Sequence, residues 1–411
     1  LILSGEAYAE LMRRKKSGLR LISLLAPARS SSTALERALS GSPDIQLQVN
    51  DPFAIYDDAA REEKTYQYIL DRLDGHDGKV TALVKNVADY IPPGAAWLRW
   101  RDLCEGHIFL IRNPLLTLHS LFKMMVRHGD AGELDSFAHD SGYTDGAALQ
   151  QALAEGDDFS RQGALYRMLF TRDQKIHRDR VMQIPVLLHI SEEIAKDAGY
   201  TSLDTLATSV GDKNWAATKE RLQNADASLA GFDTVLARIF ACRITGWEAL
   251  YQHFTATPDA IVMDSTMFRS EPEPAMKSLS DSLGIRYADS MRAWQDAGKA
   301  FTTDYDGDVP YYDRVVKSQR VDPPTEKPVP LDAFPPQFQH HLAGKGGCLD
   351  IYLRMMAEID PAFAASFALT GELQTTDPVF AAVFSTVFGQ EPVASADPAF
   401  ADVADIIKQL S

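Results

Sequence analysis

The chain has 411 residues, with 41 basic and 57 acidic side chains and a formal net charge of -16. Its composition, 45% apolar and 24% charged, excludes whole-chain disorder, a collagen-like repeat and a disulfide scaffold. No run of about 18 apolar residues is present, which argues against a membrane-spanning helix, and the acidic balance argues against nucleic acid as a partner.

The first strong strand is expected over 19–25, LRLISLL, between Gly18 and Pro27. It ends apolar on both faces, as buried strands of parallel sheets do. The polar loop Ala28-Arg29-Ser30-Ser31-Ser32-Thr33 follows, and then a helical stretch with Leu35, Ala38 and Leu39 on one face. A short strand is expected at 45–49, then the turn Asn50-Asp51-Pro52 and a helix over 53–73. A third strand at 81–84 runs into Lys85-Asn86-Val87-Ala88-Asp89-Tyr90. A helix over 93–103, a strand over 108–111, the turn Arg112-Asn113-Pro114 and a helix through Met125 complete this half. Strands alternating with helices predict βαβ units and a parallel sheet.

From 126 to 235 helical patterns dominate, with 181–190 as a strand or buried loop, so this stretch reads as a mostly helical insertion. A helix over 236–254, a strand over 260–263 and a helix over 272–283 ending at Gly284 resume the alternation. The Tyr-, Asp- and Pro-rich stretch from 300 to about 336 reads as a lid or linker. A helix over 337–359 and three Asp-Pro phrases, at Asp360, Asp377 and Asp397, make a helical C-terminal extension. The expected organisation is therefore an α/β core in two halves, 1–125 and 236–330, a helical insertion at 126–235 and an extension at 331–411.

Two segments carry candidate chemistry. A strand that ends in a small polar loop and opens a helix presents backbone N–H groups and the positive helix end to an anion. Arg29 adds a permanent charge with bidentate reach, and Ser30, Ser31, Ser32 and Thr33 add hydroxyls. A plain N-cap run is the competing reading. The loop lacks the glycines and the Lys-Ser/Thr pair of a Walker A motif. In the second segment Arg112 ends a strand and Ser120 lies eight residues on, two turns into the next helix, so the two can grip one phosphate.

Together the segments resemble the sulfotransferase superfamily. PARSSSTALERALSGSPDI is similar to its 5′-phosphosulfate loop, written PRSGST or PKSGTTW, with Ser31 in place of the glycine and Ala28 in place of the proline. FLIRNPLLTLHSLF is similar to its 3′-phosphate motif, including the Arg-to-Ser spacing. Asp51-Pro52-Phe53 with Tyr56, Val84 to Asp89, GWEALYQHF and the 260–285 stretch resemble segments of a bacterial and plant branch, and Tyr311 to Ser318 resembles a late aromatic run ending in Ser. The resemblance spans about 15–125 and 236–320.

It implies an α/β, P-loop-like three-layer fold with a central parallel sheet and a large helical insertion. It also implies 3′-phosphoadenosine 5′-phosphosulfate (PAPS) as donor and the bisphosphate PAP as product. Arg29 and the backbone from Ser30 to Ala34 would hold the 5′-phosphosulfate, Arg112 and Ser120 the 3′-phosphate, and Lys85 would neutralise the transferring group. In place of the family's His or Glu base, either Asp89 or Asp51 would take the proton. The expected reaction is sulfuryl transfer to a hydroxyl or amine of a small metabolite, free or carrier-bound, in secondary metabolism. Two alternatives stand beside it: ring closure or elimination with sulfate leaving, and a non-catalytic partner subunit.

No metal is expected. Asp304, Asp306 and Asp308 alternate as in a calcium loop, but Val315 stands where that loop needs its bidentate Glu. His119 reads as a packed surface histidine, His340-His341 as a solvated pair, and Gly344 to Gly347 as a surface turn. Tyr305, Tyr311 and Tyr312 read as pocket or core, and Lys317, Ser318 and Arg320 as a closing segment or plain surface charge. The separated cysteines, Cys104, Cys242 and Cys348, read as reduced structural thiols. No charged-then-apolar leader is visible, and the expected location is cytoplasmic, with no membrane or nucleic-acid partner and an open oligomeric state.

Overall fold

Strands that are apolar on both faces must be covered on both, and the chain meets that demand with three layers. The computed structural model describes residues 5–56, 60–76, 79–92, 94–127, 143–155, 196–201, 246–294, 318–325 and 347–359, with a few single positions between them. Five strands, β1 (Leu19–Ala26), β2 (Leu47–Asn50), β3 (Val80–Val87), β4 (Gly106–Ile111) and β5 (Ile261–Asp264), form one sheet in the order β2-β3-β1-β4-β5. Every pairing is parallel. The expected α/β three-layer fold with a central parallel sheet is thus the observed one.

Side chains alternate across the pleat and divide the core in two. Leu21, Leu25, Val84 and Phe109 face one layer, built from α1 (Glu6–Lys16), α3 (Arg61–Arg72), α4 (Ala95–Leu103), α5 (Pro114–Arg127), α7 (Trp247–Thr255) and α10 (Cys348–Ile359). Helix α6 (Gly146–Glu155) adds Leu149 to this side. Ile22, Leu24, Leu83 and Ile108 face the other layer, built from α2 (Ser32–Ser40), α8 (Ser265–Ser270) and α9 (Pro272–Leu283). At the centre of β1 the fully buried Ser23 accepts a 2.9 Å hydrogen bond from Trp100 Nε1, so the one polar residue of the strand's interior costs little. Gly41 ends α2 against the turn Asp289–Met291, where a Cβ would come within 2.5 Å of the Ser290 carbonyl. Only glycine permits that approach.

Several elements differ from the sequence reading. Helix α1 lies outside the sequence reading: it buries Ala7 and Leu11, but Arg13 to Lys16 make its last turn a run of charge. The single helix expected over 53–73 is a 3-10 turn, Pro52–Ala54, followed by α3, because Asp51 takes a left-handed backbone and redirects the chain. The short helix α8 is capped by Asp264, which accepts from the N–H groups of Thr266 and Met267. Of the expected helix over 337–359 the described part is α10. Most of the 126–235 insertion, the 181–190 segment, Cys242, the acidic and tyrosine-rich run from 304 to 312, Lys317, His340-His341 and the three Asp-Pro phrases lie outside the described residues. Cys104 and Cys348 are buried, and burial pushes the Cys104 thiol pKa up. No described helix is long and apolar enough to cross a membrane.

Two buried histidines bracket Trp97 in the first layer. His253 stacks on the indole with centroids 4.3 Å apart, and His107 meets its edge at 5.7 Å. Burial pushes both imidazole pKa values down to about 4. Between about pH 4 and the ordinary 6.5 the unfolded chain therefore binds more protons than the folded one, and stability rises with pH across that window. It is fully present above 6.5 and is lost as pH falls toward 4, by on the order of 3 kcal/mol per imidazole. Urea midpoints measured from pH 7.5 to 4.5 will fall, and His107→Gln will flatten that fall without changing its direction. A midpoint independent of pH over this range would contradict neutral burial of the pair.

Candidate functional site

The strand order reverses at β1. From β1 the chain passes through α2 to the edge strand β2, returns through α3 to β3, and crosses through α4 to β4 on the other side. In open parallel sheets the crevice at such a reversal, beyond the carboxyl ends of the strands, is where ligands bind. The two loops flanking it here are 27–31, after β1, and 112–113, after β4.

The first loop is held in a conformation that side chains rarely adopt. Arg29 and Ser31 both have positive φ, 62° and 69°, and Ser30 between them is fully buried with its hydroxyl donating to the Pro27 carbonyl at 2.7 Å. Two non-glycine residues in the left-handed region are a local strain the surrounding packing must sustain, and such strain concentrates at ligand sites. Ser31 ends the loop as the N-cap of α2 but gives the helix no side-chain cap, and no acidic residue sits in the first turn. The first N–H groups of α2 therefore lack the usual side-chain acceptor. Ala34 is inside the turn, its N–H bonded to the Ser31 carbonyl at 3.1 Å.

The second loop docks onto the first. Arg112, only 4% exposed, donates through Nη1 to the Arg29 carbonyl at 2.7 Å. Arg29 Nε in turn lies 3.4 Å from Ser120 Oγ on α5. Ser120 thus stands beside Arg29, and the residues assigned by sequence to two separate phosphate grips form one connected cluster. His119 is buried, not on the surface, because α5 packs its face against the sheet layer.

At the other flank β2 and β3 carry a buried polar network. Lys85 Nζ contacts Asp51 Oδ2 at 2.5 Å and Asn50 Oδ1 at 3.2 Å, and all three residues are buried. Asp51 Oδ1 accepts from the Val87 N–H at 2.9 Å, so both carboxylate oxygens are engaged. Asn50 Nδ2 donates to Glu36 Oε2 at 3.1 Å, which ties α2 to the same network. Asp89 sits half-buried in the 3-10 turn Ala88–Tyr90. That turn is clamped by His253, whose Nε2 lies 3.3 Å from the Ala88 carbonyl and 3.0 Å from that of Ile91. Gly246 permits the close packing, since a Cβ there would come 3.2 Å from the Asp89 nitrogen.

Sequence reasoning missed Glu36, Asn50, Asp264 and Tyr352. Asp264 ends β5, beside Ile111 of β4, and is fully buried; its Oδ2 accepts from the Tyr352 hydroxyl at 3.1 Å. Burial raises its pKa, against the opposing pull of its helix-capping N–H donors, Tyr352 and Arg112. The signal for Asp264 was present, an acid ending a strand just before Ser-Thr. Glu36 could have been suspected as a carboxylate among Leu35, Ala38 and Leu39. Nothing local announces Tyr352. Two further buried donors at this end of the sheet, Asn86 Nδ2 and Ser265 Oγ, meet no acceptor among the described residues. Among the described residues no group of three or more His, Cys, Asp or Glu is placed to hold a metal ion.

The site therefore offers two arginines, an uncapped helix start and orphaned donors suited to anionic oxygens, next to a lysine and two aspartates. Compared with protein-family models, with curated proteins and with solved structures, the chain gives no match.

Removing one partner of a buried ion pair strands the other, at a cost of about 3–5 kcal/mol. Lys85→Met will therefore destabilise the fold strongly in urea titrations, and Asp51→Asn in the same chain will restore most of the loss. Equal instability of the single and double variants would show that the pair is not energetically coupled.

Proposed function

We propose that the chain is a PAPS-dependent sulfotransferase acting on a hydroxyl or amine of a small metabolite. The observation that carries the reading is the Arg112–Arg29–Ser120 cluster, which gathers residues more than eighty positions apart at the sheet's reversal point. Those are the residues that the sequence resemblance assigns to the two phosphates. Folding alone does not demand that an uncapped, strained Ser-rich loop carry one arginine and dock against another.

The residues present suit the cosubstrate's anions. Arg29 and the N–H groups of Ser30 to Thr33 would hold the 5′-phosphosulfate, the Ala34 N–H being taken by the Ser31 carbonyl, and Arg112 with Ser120 would hold the 3′-phosphate. In the reaction the acceptor oxygen or nitrogen forms a bond to sulfur while the bond from sulfur to the phosphate oxygen breaks, and PAP leaves with that electron pair. The arginines and the helix start stabilise the charge gathering on the leaving phosphate. Lys85, held by Asp51 and Asn50, is a fixed cation for the same charge. The acceptor's proton goes to a carboxylate. Asp89 or Asp51 would take it; in Asp51 both oxygens accept hydrogen bonds, from Lys85 and Val87.

A second reading, a non-catalytic subunit that retains the nucleotide end, is favoured by one observation: Lys85 is charge-paired by Asp51. A cytoplasmic location, a carrier-bound acceptor and an oligomeric assembly belong to this proposal as well.

Calorimetric titration with PAP, and with 5′-AMP as the analogue lacking the 3′-phosphate, tests it. PAP will bind much more tightly than AMP, and Arg112→Ala will weaken PAP roughly tenfold to hundredfold, the range for a hydrogen bond to a charged group. Absence of PAP binding would overturn the assignment. Asp89→Asn will leave PAP affinity unchanged and cut turnover by about a hundredfold or more. Turnover unaffected by that change would pass the base role to Asp51, and PAP binding without turnover on any acceptor would favour the second reading.

A further inference from the structure

On the α2 face of the sheet, away from the loops just described, lies an open cleft of about 1240 Å³. It is bounded by the C-terminal half of α2, the α8–α9 junction, the 289–294 turn and the 319–323 segment, the last two joined by the bridge between Ala293 and Arg320. None of its lining residues belongs to the loop 27–34, to Arg112 or to Ser120.

Its charge is the reverse of the chain's. Acidic residues outnumber basic ones 57 to 41 overall, yet the described charged lining of the cleft is Arg37, Arg269, Arg292 and Arg320 against Asp289 alone. All four cations are arginines, the side chain whose planar fork grips two oxygens of a phosphate or sulfate at once. They are also positioned. Arg37 is buried with its guanidinium 4.6 Å from the centre of the Trp294 ring, and burial lowers its pKa. Trp294 is fixed from behind by its Nε1 donating to the Ser318 carbonyl at 2.6 Å. Arg269 is buried and spans the carbonyls of Asp322 and Pro323 at 3.1 and 2.9 Å. Arg292 is steered by exposed pairs with Glu273 and Asp289, of a kind that contributes little and yields to a stronger anion. Arg320 is exposed at the cleft's rim.

We infer that this cleft is a second anion site, which takes a small ligand bearing two or more phosphate, sulfate or carboxylate groups. Two buried arginines set the field of the wall, and two exposed ones close on the ligand's oxygens. The cleft is larger than one inorganic ion needs and somewhat larger than the usual small-ligand pocket. The inference does not rest on the sulfotransferase reading, since it uses none of that site's residues.

The probe is pyrophosphate, titrated calorimetrically into the full chain carrying Arg112→Ala, and separately Arg29→Ala, so that the loop site is disabled in two ways. One site will remain, and its affinity will fall at least tenfold in Arg292→Ala and in Arg320→Ala, whose exposed side chains can be removed without unfolding the protein. Far-ultraviolet circular dichroism checks the fold. No pyrophosphate binding to the loop-disabled chains would overturn the inference, as would binding indifferent to Arg292 and Arg320. Failure of PAP to bind anywhere would sink the proposed function and leave this result standing.

Discussion

The geometry of the candidate site depends on a buried guanidinium. Arg112 leaves the end of β4 and reaches the Arg29 carbonyl across the sheet's reversal point, where it is almost wholly shielded from water. A charge so placed must be hydrogen-bonded or it destabilises the fold. Its partners, the loop carbonyl on one side and the field of Asp264 on the other, therefore fix where the β1 and β4 ends lie relative to each other. The left-handed Arg29 that presents the carbonyl is part of the same constraint.

From that junction the rest of the polar edge follows in two directions. Toward β5, Asp264 caps α8, accepts from Tyr352 and brings α10 against the sheet end. Toward β2, Asn50, Asp51 and Lys85 share their hydrogen bonds, and Glu36 links them to the helix that opens at the 27–31 loop. Both arms lie at the carboxyl ends of the strands. The opposite ends carry no such buried ion network among the described residues, and the core between is apolar on both faces of the sheet. Buried polar networks and apolar packing are thus separated along the strand direction, as in other open α/β sheets.

The Arg-lined cleft is bounded by Arg37 and Ser40 of α2 and by Gly41 at its end, so one short helix connects the loop site and the cleft. Its N-terminus is uncapped toward the loop site, and Arg37, from its last turns, is stacked on Trp294 at the cleft. A ligand in either place would act on the same rigid element, which is pinned at its end by Gly41 against the 289–291 turn.

Much of this was legible in the order of residues. Apolar runs bounded by Gly and Pro located β1, β3 and β4, and the alternation with helices decided the parallel α/β class, because a buried strand and an amphipathic helix each leave a local period. The loop at 28–33 and the Arg-to-Ser spacing after β4 were visible for the same reason. What the tertiary structure alone decided were the pairings between segments far apart in sequence: Arg112 with the Arg29 carbonyl, Ser120 with Arg29, Lys85 with Asp51, and Tyr352 with Asp264. A side chain's partner across the fold leaves no period in its own neighbourhood. It is set by strand order and burial, which exist only once the sheet has formed.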